Sequence, residues 1–197
     1  MTLKNRAIRL LATREHAREE LYKKLLPFAI KEMKAAAKVK ADWNAFEESF
    51  ENASYEFSEE FSEEIKSAAE TVNQLLDELT RLDLLSETRY AKMRSHVRAP
   101  RFGNAKLAYE LKSAGLSADL IQSTLEETED ELTRAKAVFK SKFGQKMLEI
   151  LENPEDKSVQ AKQKAQQMRF LQTRGFSGET IRKVIKNAND DLHNEDW

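Results

Sequence analysis

The chain of 197 residues contains no cysteine, five glycines and three prolines. Without cysteine there is no disulfide, no thiolate metal site and no thiol nucleophile, which suits a reducing compartment and makes the cytoplasm the expected location. So few glycines leave no phosphate-cradling loop, because such loops need glycine at several close positions. Apolar runs are short as well. None approaches the ~20 residues of a membrane span, and the N-terminal segment lacks the apolar core of a secretory signal. The three histidines, His16, His96 and His193, stand in separate segments without ligand spacing, so neither a metal site nor a cofactor is expected. Gly175-Phe-Ser177-Gly178 lacks the glycine positions of a nucleophile elbow and follows a helical pattern, where that turn needs a strand. With no catalytic constellation, the chain is expected not to be an enzyme.

Charge and helical periodicity are plentiful. A third of the residues are charged, apolar positions recur at spacings of three and four, and no strand pattern competes, so the expected class is all-α. One motif occurs twice, sixty residues apart: Leu111-x-x-x-Gly115-Leu116-Ser117-x-x-x-Ile121, and Leu171-x-x-x-Gly175-Phe176-Ser177-x-x-x-Ile181. Each copy reads as a helix stopped by a left-handed glycine at C′, then a serine N-cap and a second helix. Counting from that glycine puts Leu111 or Leu171 at C3 and Leu116 or Phe176 at C″, the pair that closes a Schellman motif with an apolar contact. Asp119 and Glu179 fall at N2 of the following helices, where the helix dipole favours an acid. Gly115, Ser117, Gly175 and Ser177 are therefore the expected structural caps.

An internal repeat organises the rest. Leu21 and Leu25 align with Leu107 and Leu111, so residues 1–85 read as a degenerate first copy, with Ala29 in place of the glycine and Pro27 expected to break the helix there. Val72, Leu75, Leu76, Leu79 and Leu82 then mark an amphipathic helix. Residues 86–127 form the second three-helix repeat, 128–188 the third, and 189–197 a polar, acidic, frayed tail. Between about 28 and 65 an acidic stretch interrupts the rhythm. Its aromatics, Trp43, Phe46, Phe50, Phe57 and Phe61, are helically spaced, which fits either a helical buttress or a mobile segment that competes for a basic surface.

Net charge is −1, but its distribution is uneven. Residues 1–40 carry eleven Lys/Arg against four acids, 89–112 seven against one and 157–186 eight against one, whereas 41–88 hold fourteen acids against two bases. Such segregation points to a charged partner. The expected contact residues are Arg94, Arg98, Arg101 and Lys106 in the second repeat, and Arg174, Arg182, Lys183 and Lys186 in the third. Tyr90, Phe102, Phe170 and Phe176 sit at repeat-packing positions and are expected in the core. The competing reading is a helix-turn-helix protein acting on duplex DNA. Leucines at 111 and 171, where close helix crossing wants a small residue, argue against it. So does helix 117–126, which carries Asp119 and Glu126 and no base.

Five segments in register carry a family resemblance: Leu10-Leu-Ala-Thr-Arg-Glu-His16, Leu84-Leu-Ser-Glu-Thr-Arg-Tyr-Ala91, Arg101-Phe-Gly103, Glu110-Leu-Lys-Ser-Ala-Gly115 and Met168-Arg-Phe-Leu-Gln-Thr-Arg-Gly-Phe-Ser177. Together they resemble the signature segments of the RecX family, regulators of the RecA recombinase. The chain departs from that pattern at Ala17, where the family usually has serine, and in its acidic insertion. The resemblance implies an elongated, curved array of three tandem three-helix repeats, with an acidic helical insertion in the first. It also implies a monomer that binds in the groove of the RecA–single-stranded-DNA nucleoprotein filament. There it would inhibit ATP hydrolysis, strand exchange and assisted repressor cleavage, with weak non-specific DNA contact and no membrane.

Overall fold

The computed structural model describes residues 1–47, 57–152 and 157–191, with side chains for 1–35, 63, 65–144 and 161–188. These residues form nine α-helices and no strand: α1 (Leu3–Thr13), α2 (Arg18–Glu47), α3 (Phe57–Arg81), α4 (Glu87–Arg98), α5 (Asn104–Ser113), α6 (Ala118–Glu126), α7 (Glu131–Glu152), α8 (Lys157–Thr173) and α9 (Gly178–Asp191), with a 3-10 turn at Ala99–Arg101. The all-α class is thus observed. None of these helices is long and apolar enough to cross a membrane. The chain divides into two compact units, Met1–Tyr90 and Ala91–Trp197.

The first unit packs α1, α2 and α3 around one apolar core. Leu3 and Ala7 of α1, Leu21, Leu25 and Ala29 of α2, and Ala68, Val72, Leu75, Leu76 and Leu79 of α3 are all buried there. The three- and four-residue spacing of these positions gives each helix a single apolar stripe. Burying each leucine contributes roughly 1.5–3 kcal/mol. That packing overrides the expected break at Pro27, and α2 runs through the proline to Glu47. Leu25 and Ala29 flank the ring and are both buried against α3, so the helix forgoes one backbone hydrogen bond and keeps its stripe. Ala29 supplies no left-handed stop. Leu82, expected on the apolar face of α3, lies beyond the helix end and is exposed. The aromatic positions Trp43, Phe46, Phe50, Phe57 and Phe61 of the acidic stretch lie outside the described side chains.

Buried at the entrance of α2, His16 is 1 % exposed, with Nδ1 3.2 Å from Glu20 Oε2 and no hydrogen bond to either ring nitrogen. Burial lowers its pKa below 6.5; Arg14 and Lys24 push the same way, and Glu20 opposes them. Glu20 itself stays ionised. Burial would raise its carboxyl, but hydrogen bonds from Arg14 and Lys24 outweigh that and hold it at about 2. In acid, therefore, the unfolded chain takes up a proton that the folded chain resists. Stability is fully present above 6.5 and falls as pH drops below it. His16→Leu should flatten the stability–pH slope below pH 6.5, with a smaller change above it. Chemical denaturation across that pH checks both points.

The second unit has its own core. Ala135, Phe139 and Phe143 of α7, Leu171 of α8, and Ile181, Val184, Ile185 and Ala188 of α9 enclose Phe176. Phe143 meets Phe139 at 5.2 Å between ring centroids and Phe170 edge-on at 5.1 Å. Leu107, Leu111, Leu116 and Ile121 are buried where α5 and α6 pack. Asp130 caps the start of α7, its Oδ2 accepting from Thr133 N at 3.0 Å. At the other end, α9 continues past the expected frayed point to Asp191; the rest of the acidic tail, 192–197, lies outside the described residues.

Candidate functional site

Both glycine stops form as the spacing dictates. Gly115 has φ 89° and Gly175 has φ 78°. Leu116 N donates to Leu111 O at 3.2 Å and Gly115 N to Lys112 O at 3.0 Å. In the second copy, Phe176 N donates to Leu171 O at 3.3 Å and Gly175 N to Gln172 O at 2.9 Å. These are the two bonds of a Schellman motif, with the buried pairs Leu111/Leu116 and Leu171/Phe176 closing it. Ser117 Oγ accepts from Leu120 N and Ser177 Oγ from Thr180 N. A third stop of the same kind ends α3, with Asp83 at φ 55° in glycine's place, Asp83 N donating to Thr80 O and Leu84 N to Leu79 O. Aspartate tolerates this conformation better than most residues. Arg89 holds it there, with Nη1 on Asp83 Oδ1 and Nη2 on Asp83 O, both at 2.7 Å, while its Nε reaches Glu15 at 2.9 Å. The signal in the sequence was the leucine four residues before Asp83 and the serine cap at Ser86, whose Oγ accepts from Arg89 N.

The eight basic positions expected to meet a partner all lie in the second unit. Arg94 and Arg98 are on α4, Arg101 on the 3-10 turn, Lys106 on α5, Arg174 just past α8, and Arg182, Lys183 and Lys186 on α9. The structure joins some of them. Arg94 Nη2 stands 3.0 Å from Glu110 Oε2, and Arg98 grips the same carboxylate with both Nε and Nη2. Those bonds, Arg98's first, lower the Glu110 pKa against its partial burial. Phe102 covers the Arg98 guanidinium at 4.0 Å, and Phe170 covers that of Arg174 at 3.8 Å. Both of these rings, expected in the core, are only half buried, whereas Tyr90 and Phe176 are buried.

Lys106 and Arg174 come together because two glycines touch. Gly103 N donates to Arg174 O at 3.0 Å and Ala105 N to Gly175 O at 3.2 Å, so the stop after α8 sits directly on the start of α5. A Cβ on Gly103 would stand 2.3 Å from Gly175 O, and one on Gly175 would stand 2.6 Å from Lys106 N. On α9 the buried stripe Ile181, Val184, Ile185 leaves Arg182, Lys183 and Lys186 on the exposed face, with Lys183 tied to Glu179 at 2.6 Å.

Two residues beneath this surface gave no signal in the sequence. Arg134, 2 % exposed, donates to Glu129 O at 2.7 Å, Phe102 O at 2.6 Å, Ala99 O at 3.3 Å and the Asn104 side chain. Burial lowers its pKa, while Glu131, Glu129 and Asp130 act to raise it. Glu131 accepts from Asn104 N at 2.7 Å, Thr180 Oγ1 at 2.8 Å and Ser177 N at 3.4 Å, so one carboxylate caps the starts of α5 and α9 together. Burial would raise its pKa, but these donors outweigh it and the net shift is downward.

The chain is similar to known proteins over most of its length. Residues 154–185 match the family model described as RecX, third three-helix domain. The regulatory protein RecX of Leptothrix cholodnii is 33 % identical over 100 % of this chain and 94 % of its own length. That of Chromobacterium violaceum is 30 % identical over 99 % of this chain and 96 % of its own. That of Ralstonia pickettii is 30 % identical over 100 % and 94 %.

Proposed function

The chain belongs to the RecX family, and from that premise we propose that it is a negative modulator of RecA. It binds in the groove of the RecA–single-stranded-DNA filament and inhibits ATP hydrolysis, strand exchange and coprotease activity. The observation that carries this reading is full-length similarity to proteins named as RecX regulators. Stacked helices make a surface suited to tracking a filament, and basic side chains suit a groove lined by acidic protein and phosphate. On this reading the protein works as a cytoplasmic monomer without catalysis of its own. It is built of three-helix repeats at 1–85, 86–127 and 128–188, the first carrying an acidic insertion at about 28–65. Arg94, Arg98, Arg101, Lys106, Arg174, Arg182, Lys183 and Lys186 supply its contact surface.

Titration into cognate RecA should lower single-stranded-DNA-dependent ATP hydrolysis at ratios well below one to one. Reversing charge at Arg101, Arg182 and Lys186 together should weaken that inhibition and flatten its salt dependence with helix content intact, because exposed substitutions cost under about 0.5 kcal/mol each. No effect on hydrolysis, with a gel shift that selects one duplex sequence, would replace this reading by the helix-turn-helix one.

A further inference from the structure

Tyr109 is the only aromatic ring among the described residues that stands mostly in solvent, at 66 % exposure. It does not stand alone. On α5, Lys106 lies one turn before both Tyr109 and Glu110 and therefore between them on the helix surface. Lys106 Nζ is 5.7 Å from the Tyr109 ring centroid. On its other side Glu110 holds Arg98 by the Nε and Nη2 edge, and Phe102 covers one guanidinium face, so Arg98 keeps its Nη1 donors for an outside acceptor. The strip thus runs from an exposed ring to an ammonium to an oriented guanidinium. Beside the ring, a largely apolar groove of about 590 Å³ opens between α5 and α6, lined by Ala108, Leu116, Ile121 and Leu125 together with Lys112 and Glu126. That volume accommodates a nucleobase.

Cations that track a backbone, beside an aromatic face on which a base stacks, are the ingredients of sequence-tolerant single-strand recognition. A nucleobase uses the ring and the groove as well as the cations, which charge pairing with an acidic surface alone does not. We infer that Tyr109, Lys106 and Arg98 form a binding site for single-stranded DNA, with Tyr109 stacking a base and Lys106 and Arg98 contacting the flanking phosphates. The inference rests on the filament reading for its setting and deepens it, but its test needs only the protein and an oligonucleotide.

Fluorescence anisotropy with a labelled oligothymidine, and with an abasic strand of equal length, separates the two kinds of contact. Tyr109→Ala should weaken oligothymidine binding by about ten-fold and leave abasic binding unchanged, while Tyr109→Phe restores the wild-type value. Lys106→Ala should weaken both probes and reduce the salt slope by about one. Equal loss on both probes for Tyr109→Ala, no loss at all, or failure of the wild type to prefer the base-bearing strand would overturn the assignment. Competition by polyglutamate as strong as by oligothymidine would also overturn it and give the strip to an acidic protein partner. RecA inhibition by a wild-type protein that binds no oligothymidine would sink this inference alone, whereas oligothymidine binding without inhibition would sink the filament reading alone.

Discussion

Gly175→Val should destabilise the second unit by about 3–5 kcal/mol, far more than Gly115→Val at about 1–2 kcal/mol. Both replacements force a β-branched residue into left-handed backbone, at φ 78° and 89°. Gly115 is exposed, whereas at the half-buried Gly175 a collision adds to that strain. Its new Cβ would meet Lys106 N and Cβ at 2.6 Å, and because backbone is involved, α5 must move away from the stop or the stop must open. Separate urea titrations of the two variants, followed by helical circular dichroism, measure the difference. Equal losses would mean that the stop after α8 does not sit on the start of α5 in solution.

Arg134→Met should cost about 3–5 kcal/mol, by a different route. The methionine fills much of the space but leaves Phe102 O, Ala99 O, Glu129 O and the Asn104 side chain without their donor. Each buried acceptor left unsatisfied costs about 1–3 kcal/mol, less where water reaches it. Arg134→Lys should recover only part of the loss, because one ammonium cannot span four acceptors on a planar fork. Hydrogen exchange adds a local reading. Amides of residues 102–107 should exchange faster in both variants, and unchanged protection there would show that Arg134 does not hold that turn.

What the sequence revealed and what it hid divide along a physical line. The stops at Gly115 and Gly175 were legible because a Schellman motif is local: glycine, the leucine four before it and the apolar residue after it all fall within six residues. The stop at Asp83 uses the same bonds, yet without glycine its spacing alone did not announce it, since the left-handed conformation is secured by Arg89, six residues on. Pro27 misled for the opposite reason. A local rule says break, but burial of Leu25 and Ala29 against α3 outweighs one lost backbone bond. Arg134 and Glu131 were invisible because their partners lie far along the chain, 32 residues away at Phe102 and 49 at Thr180. In a helical pattern they read as two more solvated charges. The basic positions were legible by type, but the tie of Arg94 and Arg98 to Glu110, and the exposed ring of Tyr109 beside Lys106, needed the fold.

The carboxylate of Glu131 sets how far this unit can be cut down. In most tandem arrays neighbouring units meet through apolar faces, so a unit can be duplicated, lost or exchanged wherever the faces match. Here the helix–stop–helix segments α5–α6 and α8–α9 are joined by a single acid that closes the starts of α5 and α9, and by two glycines in backbone contact. A copy transferred without its neighbour would leave that acid half-employed and one helix start open to water. Cutting the chain between these two segments therefore discards stability that cutting outside the pair retains, and the smallest self-sufficient piece of this unit is the doublet.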